Sequence, residues 1–231
     1  MRIITAQLAV ASLLMLISGM VTTTPGRAFP VTYPTEQLAG LWPGISTLDD
    51  AVRLYGAYDI AMSGRVTGYA GGSLATKAYR WSPGPTYGSP GLVVETPIGS
   101  SQIITVMIDA YPGLGTSLGL TPLTSDLNAV KLYGLPDYVF KYQFEGFNSG
   151  LEMFYLREGL LVLATGVPSR PNWTITKIIL TSPTYLQNAV AMNTRAALGE
   201  RSRVEDFTNM YRVWAQQAAP PATDPARRED Y

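Results

Sequence analysis

The sequence predicts an α+β protein made of tandem units, each opening with a short helix and continuing into an antiparallel β-sheet, with a helical cap at the C-terminal end. Three observations over its 231 residues carry that prediction. A helical motif at 46–56 returns at 124–134, displaced by 78 positions, and returns once more in weaker form at 202–211. Segments with the two-residue period of half-buried strands follow the first two copies. The composition, 46% hydrophobic and 15% charged, supplies a packed core and is far from that of a disordered chain.

Residues 1–28 read as a targeting segment. Arg2 supplies a positive start, 8–17 is an apolar run of h-region length, and Gly26 and Ala28 put small residues at the cleavage positions. A retained anchor is the alternative, but the apolar stretch 8–21 is interrupted by Ser12, Ser18 and Gly19 and falls short of the about 20 residues that a span needs. With 1–28 removed, no stable membrane span is expected.

The first unit is assigned to 29–112. Its motif, Ser46-Thr47-Leu48-Asp49-Asp50-Ala51-Val52-Arg53-Leu54-Tyr55-Gly56, places a hydroxyl where an N-cap accepts an orphaned N–H. It places a glycine where a left-handed C-cap ends a helix. Strands are predicted at 77–81, 91–96 and 102–109, after a glycine-rich loop at 63–73. The second unit, 113–183, repeats the plan. Thr124 or Ser125 caps its helix, Gly134 ends it, and strands follow at 138–144, 151–157, 160–165 and 174–181, with a loop at 146–150 and a Glu158-Gly159 turn. Asp59 and Asp137 recur just past the helix-ending glycines, where an aspartate bonds local backbone.

Residues 184–217 repeat only the helical start. Ser202 is the predicted cap, and Val204, Phe207, Tyr211 and Trp214 form an apolar stripe at helical spacing. Tyr55, Tyr133 and Tyr211 occupy one equivalent position and are expected in the core. The end of the chain, 218–231, has the Pro-rich, charged composition of a disordered tail.

The chain contains neither Cys nor His, which excludes thiolate nucleophiles, disulfides, imidazole metal ligands and the commonest general base. Lys and Arg number 17 against 17 Asp and Glu; without Arg2 and Arg27 the balance is 15 against 17. No basic field is left to attract phosphates, so nucleic acid is not an expected partner. Gly115-Thr116-Ser117-Leu118-Gly119 matches a Gly-x-Ser-x-Gly pattern in form, but with no His to activate the serine it reads as a connector. There is no P-loop and no calcium-loop spacing, so neither a cofactor nor a metal is expected. Glu95, Asp109, Glu145, Glu152 and Glu158 are the carboxylates available for acid/base work, and they read as solvated strand positions. The protein is therefore expected to be non-enzymatic.

The paired segments Gly-Ile-Ser-Thr-Leu-Asp-Asp-Ala-Val-Arg-Leu-Tyr-Gly-Ala-Tyr-Asp at 44–59 and Leu-Thr-Ser-Asp-Leu-Asn-Ala-Val-Lys-Leu-Tyr-Gly-Leu-Pro-Asp at 123–137 resemble a known helix-loop signature. It is that of the beta-lactamase inhibitory protein-like fold, which also includes the small outer-membrane assembly lipoproteins. The resemblance implies small helices against a curved antiparallel sheet, sometimes in tandem, with an open face used for protein contact.

Contacts are expected where the two units diverge. The loop 82–90 replaces the tight 158–159 turn, and 166–173 is longer than 97–101. Tyr87, Arg170 and Trp173 on these loops are the predicted contact residues, with Tyr79, Trp81 and Phe147 nearby; Tyr, Trp and Arg are enriched in binding hot spots. The expected function is that of a secreted or periplasmic protein that binds another protein through an open sheet face and aromatic loops. A structural or assembly factor of the cell envelope is the alternative, followed by a glycan-binding module using Trp81 and Trp173 or a carboxylate-based hydrolase.

Overall fold

The computed structural model describes residues 33–34, 36–69, 72–82, 91–111, 113–143, 149–166, 172–199 and 203–218. The segment 1–28 and the tail beyond 218 lie outside the described residues, as do Tyr87, Phe147 and Arg170. The described chain is an α+β fold with four helices and one open antiparallel sheet of nine strands. In chain order the elements are α1 (Leu48–Tyr55), β1 (Ile60–Tyr69), β2 (Gly72–Trp81), β3 (Gly91–Pro97) and β4 (Thr105–Asp109). Next come α2 (Asp126–Tyr133), β5 (Tyr138–Gln143), β6 (Ser149–Tyr155), β7 (Leu160–Gly166) and β8 (Thr174–Thr181). The chain then forms α3 (Pro183–Ala197), β9 (Val204–Asp206) and α4 (Thr208–Ala218). The sheet order is β1-β2-β3-β4-β8-β7-β6-β5-β9.

The two short helices are built alike. Thr47 caps α1 in a reciprocal capping box with Asp50, and Ser125 caps α2 by accepting the Leu127 N–H. Gly56 and Gly134 end them at φ 79°, ψ −164° and φ 80°, ψ −164°. This is an extended conformation at positive φ, open in practice to glycine alone, rather than the left-handed helical cap expected. Each helix start is stitched to the strand at the middle of the sheet. The Leu48 N–H bonds Ser101 O and the Asp126 N–H bonds Trp173 O, both at 2.8 Å, while Ile103 and Ile175 donate to Ser46 O and Thr124 O at 2.9 and 2.8 Å.

Asp59 and Asp137 reach further than the local backbone expected of them. Their Oδ2 atoms accept the N–H of Ser82 and of Leu156, each at 2.7 Å, where β2 and β6 end. The aspartates thus tie the exit of each short helix to the second strand after it.

Two strands depart from the predicted pattern. Residues 63–69 and 72–73 of the glycine-rich stretch belong to paired strands, with β1 joined to β2 from Ile60↔Arg80 to Tyr69↔Gly72 and a register shift between Thr67 and Tyr69. Small residues gave it no apolar alternation to read, yet the backbone ladder needs none. Val204 belongs to β9, not to a helix: the helical stripe begins only at α4, and residues 204–206 pair with Tyr142, Lys141 and Phe140 of β5.

The halves of the sheet meet at β4 and β8, paired from Thr105↔Thr181 to Asp109↔Lys177 about the Met107↔Ile179 pair. The Thr105 and Thr181 hydroxyls lie 3.0 Å apart at one end of this seam, and a Lys177–Asp109 ion pair of 3.4 Å closes the other. On the outer face, α1, α2 and α4 cover a core that includes Val94, Val106, Leu160, Val162 and Ile178. On the inner face, Leu186 and Val190 of α3 pack on Phe140, Phe154, Leu161 and Ile179.

Helix α3 packs against β1, β7 and β9, that is, against both edge strands and one interior strand. A 15-residue helix is about 22 Å long, whereas nine flat strands put the two edges about 38 Å apart. The sheet therefore bends around α3, and its inner face is a trough that the helix fills.

Candidate functional site

Tyr79, Trp81 and Trp173 do not form a surface contact patch. They are 8%, 6% and 1% exposed, and all three belong to the outer-face core. Strand alternation turns Tyr79 and Trp81 to the same covered side of β2, where the Trp81 Nε1–H donates to Gly56 O at 2.9 Å. The Tyr79 ring meets that of Tyr58 edge-on, with centroids 4.8 Å apart. Trp173 immediately precedes β8, and its indole fills the space that a Cβ on Gly166 would need. These three are corrected from contact residues to core residues. The first two lie in one half of the sheet and the third in the other.

Beside Trp81 is a cleft of about 200 Å³ between the end of α1 and the ends of β2 and β3, lined by Tyr55, Asp59, Leu92, Tyr111 and Leu114 among others. Its polar atoms are largely committed. Tyr55 OH donates to Ala39 O, Trp81 Nε1 to Gly56 O, and Asp59 Oδ2 holds the Ser82 N–H. Among the described residues no cluster of acidic side chains is arranged for a metal. Ser117, centre of the Gly-x-Ser-x-Gly pattern, bonds Glu36 through both its N–H and its hydroxyl, so this connector is pinned to the start of the described chain.

The strand carboxylates are expected from sequence to be solvated, but Glu95 and Glu152 are only partly so, and Asp126 of α2 is buried. Asp126, 1% exposed, accepts the Trp173 N–H at 2.8 Å on Oδ1 and the Tyr211 hydroxyl at 2.7 Å on Oδ2. Burial pushes its carboxyl up, and those donors oppose the shift. On the inner face Glu152 Oε2 accepts Tyr142 OH and Asn193 Nδ2, each at 2.8 Å. Burial raises Glu152 as well, and raises Glu95 to about 7 against an opposing bond from Thr105. Glu95 and Glu152 are half-buried, because α3 lies over this face of the sheet.

The outer face is covered unequally in the two halves of the sheet. Counted outward from the seam, the row Val106-Val94-Tyr79-Ala61 corresponds to the row Ile178-Val162-Met153-Val139. Val139 is fully buried and Leu151, one row along, nearly so, because β9 pairs with β5 and α4 lies across it. Phe207 N–H donates to Val139 O at 2.9 Å, and Arg212 reaches Pro136 O and Asp137 O at 3.2 and 3.0 Å. At the matching places of the other half, Ala61, Ser63, Ala75 and Lys77 are exposed. No strand among the described residues pairs with the outer side of β1.

No helix among the described residues is long and apolar enough to cross a membrane. Comparison with family models, curated proteins and solved structures returned no match.

Proposed function

We propose that the chain is a secreted or periplasmic, non-enzymatic protein that binds another protein at the β1–β2 end of its sheet. The observation that carries this reading is the unequal treatment of the two outer strands. β5 is covered by β9 and α4, whereas among the described residues no strand pairs with the outer side of β1, and Ala61, Ser63, Ala75 and Lys77 there are exposed. An unsealed edge with small flanking side chains suits the addition of an extended segment from a partner, with main-chain bonds supplying affinity. The inner face is not the contact surface in this reading, since α3 occupies it.

In the same proposal the chain is a tandem duplication with β9 and α4 as its cap. The corresponding strand rows, the paired helix-to-strand hydrogen bonds and the twin aspartate ties support it. The beta-lactamase inhibitory protein-like resemblance is retained as a proposal on the same grounds, a short helix and loop leading into antiparallel strands. A non-enzymatic role is supported by the inner-face carboxyls lying beneath a helix rather than in the open cleft.

Photo-crosslinking tests the surface. A crosslinker at Ser63 or Lys77 is expected to trap one partner from the extracytoplasmic fraction, and Ala75→Arg is expected to abolish the adduct, while a crosslinker at exposed Gln216 on α4 stays silent. Equal labelling from Gln216 and Ser63 overturns the assignment.

A further inference from the structure

The second half of the sheet shows how an added strand is held on this fold. β9 lies antiparallel beside β5 with Glu205 opposite Lys141, and the two side chains form an ion pair of 3.5 Å. The Lys141 ammonium also stands 5.1 Å from the centroid of the Phe207 ring, two residues beyond Glu205. One lysine on the outer face thus holds both an acidic residue of the added strand and the aromatic residue that follows it.

The first half has a lysine at the corresponding cross-strand pair. Ser63 of β1 faces Lys77 of β2 as Lys141 of β5 faces Leu151 of β6, so the lysine stands one strand further in and a serine occupies the outer strand. Lys77 is exposed, its ammonium lies 5.4 Å from the centroid of the Tyr79 ring, and the ion pairs among the described residues do not include it. Between Asp59 and Glu95 the sequence contains Arg65, Lys77 and Arg80 and no acidic residue. The corresponding stretch of the second half, 138–155, sets Lys141 against Glu145 and Glu152. The two outer strand pairs therefore differ in the sign of their charge, and β1–β2 is the basic one.

We infer, on the reading that β1–β2 is the docking surface, that the partner protein enters as an acidic extended segment: it adds to β1 antiparallel, with a glutamate opposite Ser63 whose carboxylate takes the Lys77 ammonium, and an aromatic residue two positions further on covers Ala61. The pattern is that of Val204-Glu205-Asp206-Phe207 on β5. Neighbouring strands lie about 4.8 Å apart, so the incoming residue stands about 10 Å from Lys77, a gap that the two long side chains span across a residue as small as Ser63. Ala61 takes the place that Val139 takes in the other half and leaves room for the ring. Main-chain bonds to β1 supply affinity whatever the sequence, and the lysine selects the acidic residue.

The probe is a labelled peptide copying residues 203–209, Arg-Val-Glu-Asp-Phe-Thr-Asn, titrated against the full chain and followed by fluorescence anisotropy. Saturable binding is expected below about 1 mM. Lys77→Glu is expected to weaken it by about tenfold or more, and the peptide carrying Glu205→Lys should lose affinity for the wild type and regain it with the Lys77→Glu chain, a rescue that also shows the variant to be folded. Lys141→Glu is expected to leave the affinity unchanged. A peptide that does not bind, an affinity that follows Lys141 instead of Lys77, or a charge-swapped pair that is not restored overturns the inference. Capture from a crosslinker at Ser63 that Ala75→Arg abolishes and Lys77→Glu does not overturns the acidic segment while the docking surface stands. A Ser63 adduct formed within the chain or between two copies overturns it as well, because the occupant is then the chain itself.

Discussion

The Tyr211 hydroxyl of α4 donates to Oδ2 of Asp126, the first residue of α2, across 85 positions of chain and at 2.7 Å. With the Trp173 N–H on Oδ1, this carboxyl joins α2, the approach to β8 and α4 at one buried point. Asp126→Ala leaves two buried donors unpaired and is expected to cost about 3 kcal/mol, against about 1 kcal/mol for Tyr211→Phe. Urea unfolding of both variants and their double measures the coupling, and additive losses would show that the bond contributes nothing of its own.

Stability is expected to decline as pH rises from about 4.5 to about 7. Glu95 titrates at about 7 in the folded chain, raised by burial, from an ordinary 4.5, so the folded state binds more protons than the unfolded state between those values. Its favourable contribution is full below the unfolded value and gone above the folded one. Glu95→Gln should therefore be neutral at low pH and stabilising by up to about 3 kcal/mol in alkaline buffer, a difference measured by denaturant midpoints at each pH.

Gly56→Ala and Gly134→Ala are each expected to destabilise by about 1–3 kcal/mol. No atom lies within 4 Å of a Cβ built at either glycine, so the loss comes from the backbone conformation and not from a clash. D-alanine, introduced by semisynthesis, should restore the Tm in each case, because it accepts positive φ.

The seam offers a subtler test. Asp109 and Lys177 at one end take the places that Thr181 and Thr105 take at the other. Replacing the ion pair by Asp109→Thr with Lys177→Thr should change stability by less than about 1 kcal/mol and remove its dependence on salt, since a partly exposed pair contributes little.

Much of this architecture was legible in the sequence, for identifiable reasons. Caps and glycine stops are local chemistry, so Thr47, Ser125, Gly56 and Gly134 announced α1 and α2. The hairpin at 60–81 was not legible beyond its second half, because Ala, Ser and Gly on β1 carry no hydrophobic period. Helix α3 makes the inner-face carboxyls hard to read: Glu152 alternates with Met153 as a solvated residue would, and only a helix that starts about 30 residues downstream covers it in part. Trp81 and Trp173 misled in the opposite sense, since an aromatic beside a loop looks the same in sequence whether its strand turns it out or in.

The strand order has a consequence for how the chain acquires its shape. Within β1–β4 and within β5–β8 every neighbour in the sheet is also the neighbour in sequence, so each meander closes through short loops and little lost chain entropy. Two ladders join distant segments: β4–β8, about 70 residues apart, which presents no partner until both meanders exist, and β5–β9, about 64 residues apart. Assembly is thus expected to run as two quick local events followed by one slower docking of preformed halves. β9 and the last helices then add to the eight strands already joined, and α3 enters its trough at the end of the process rather than nucleating it.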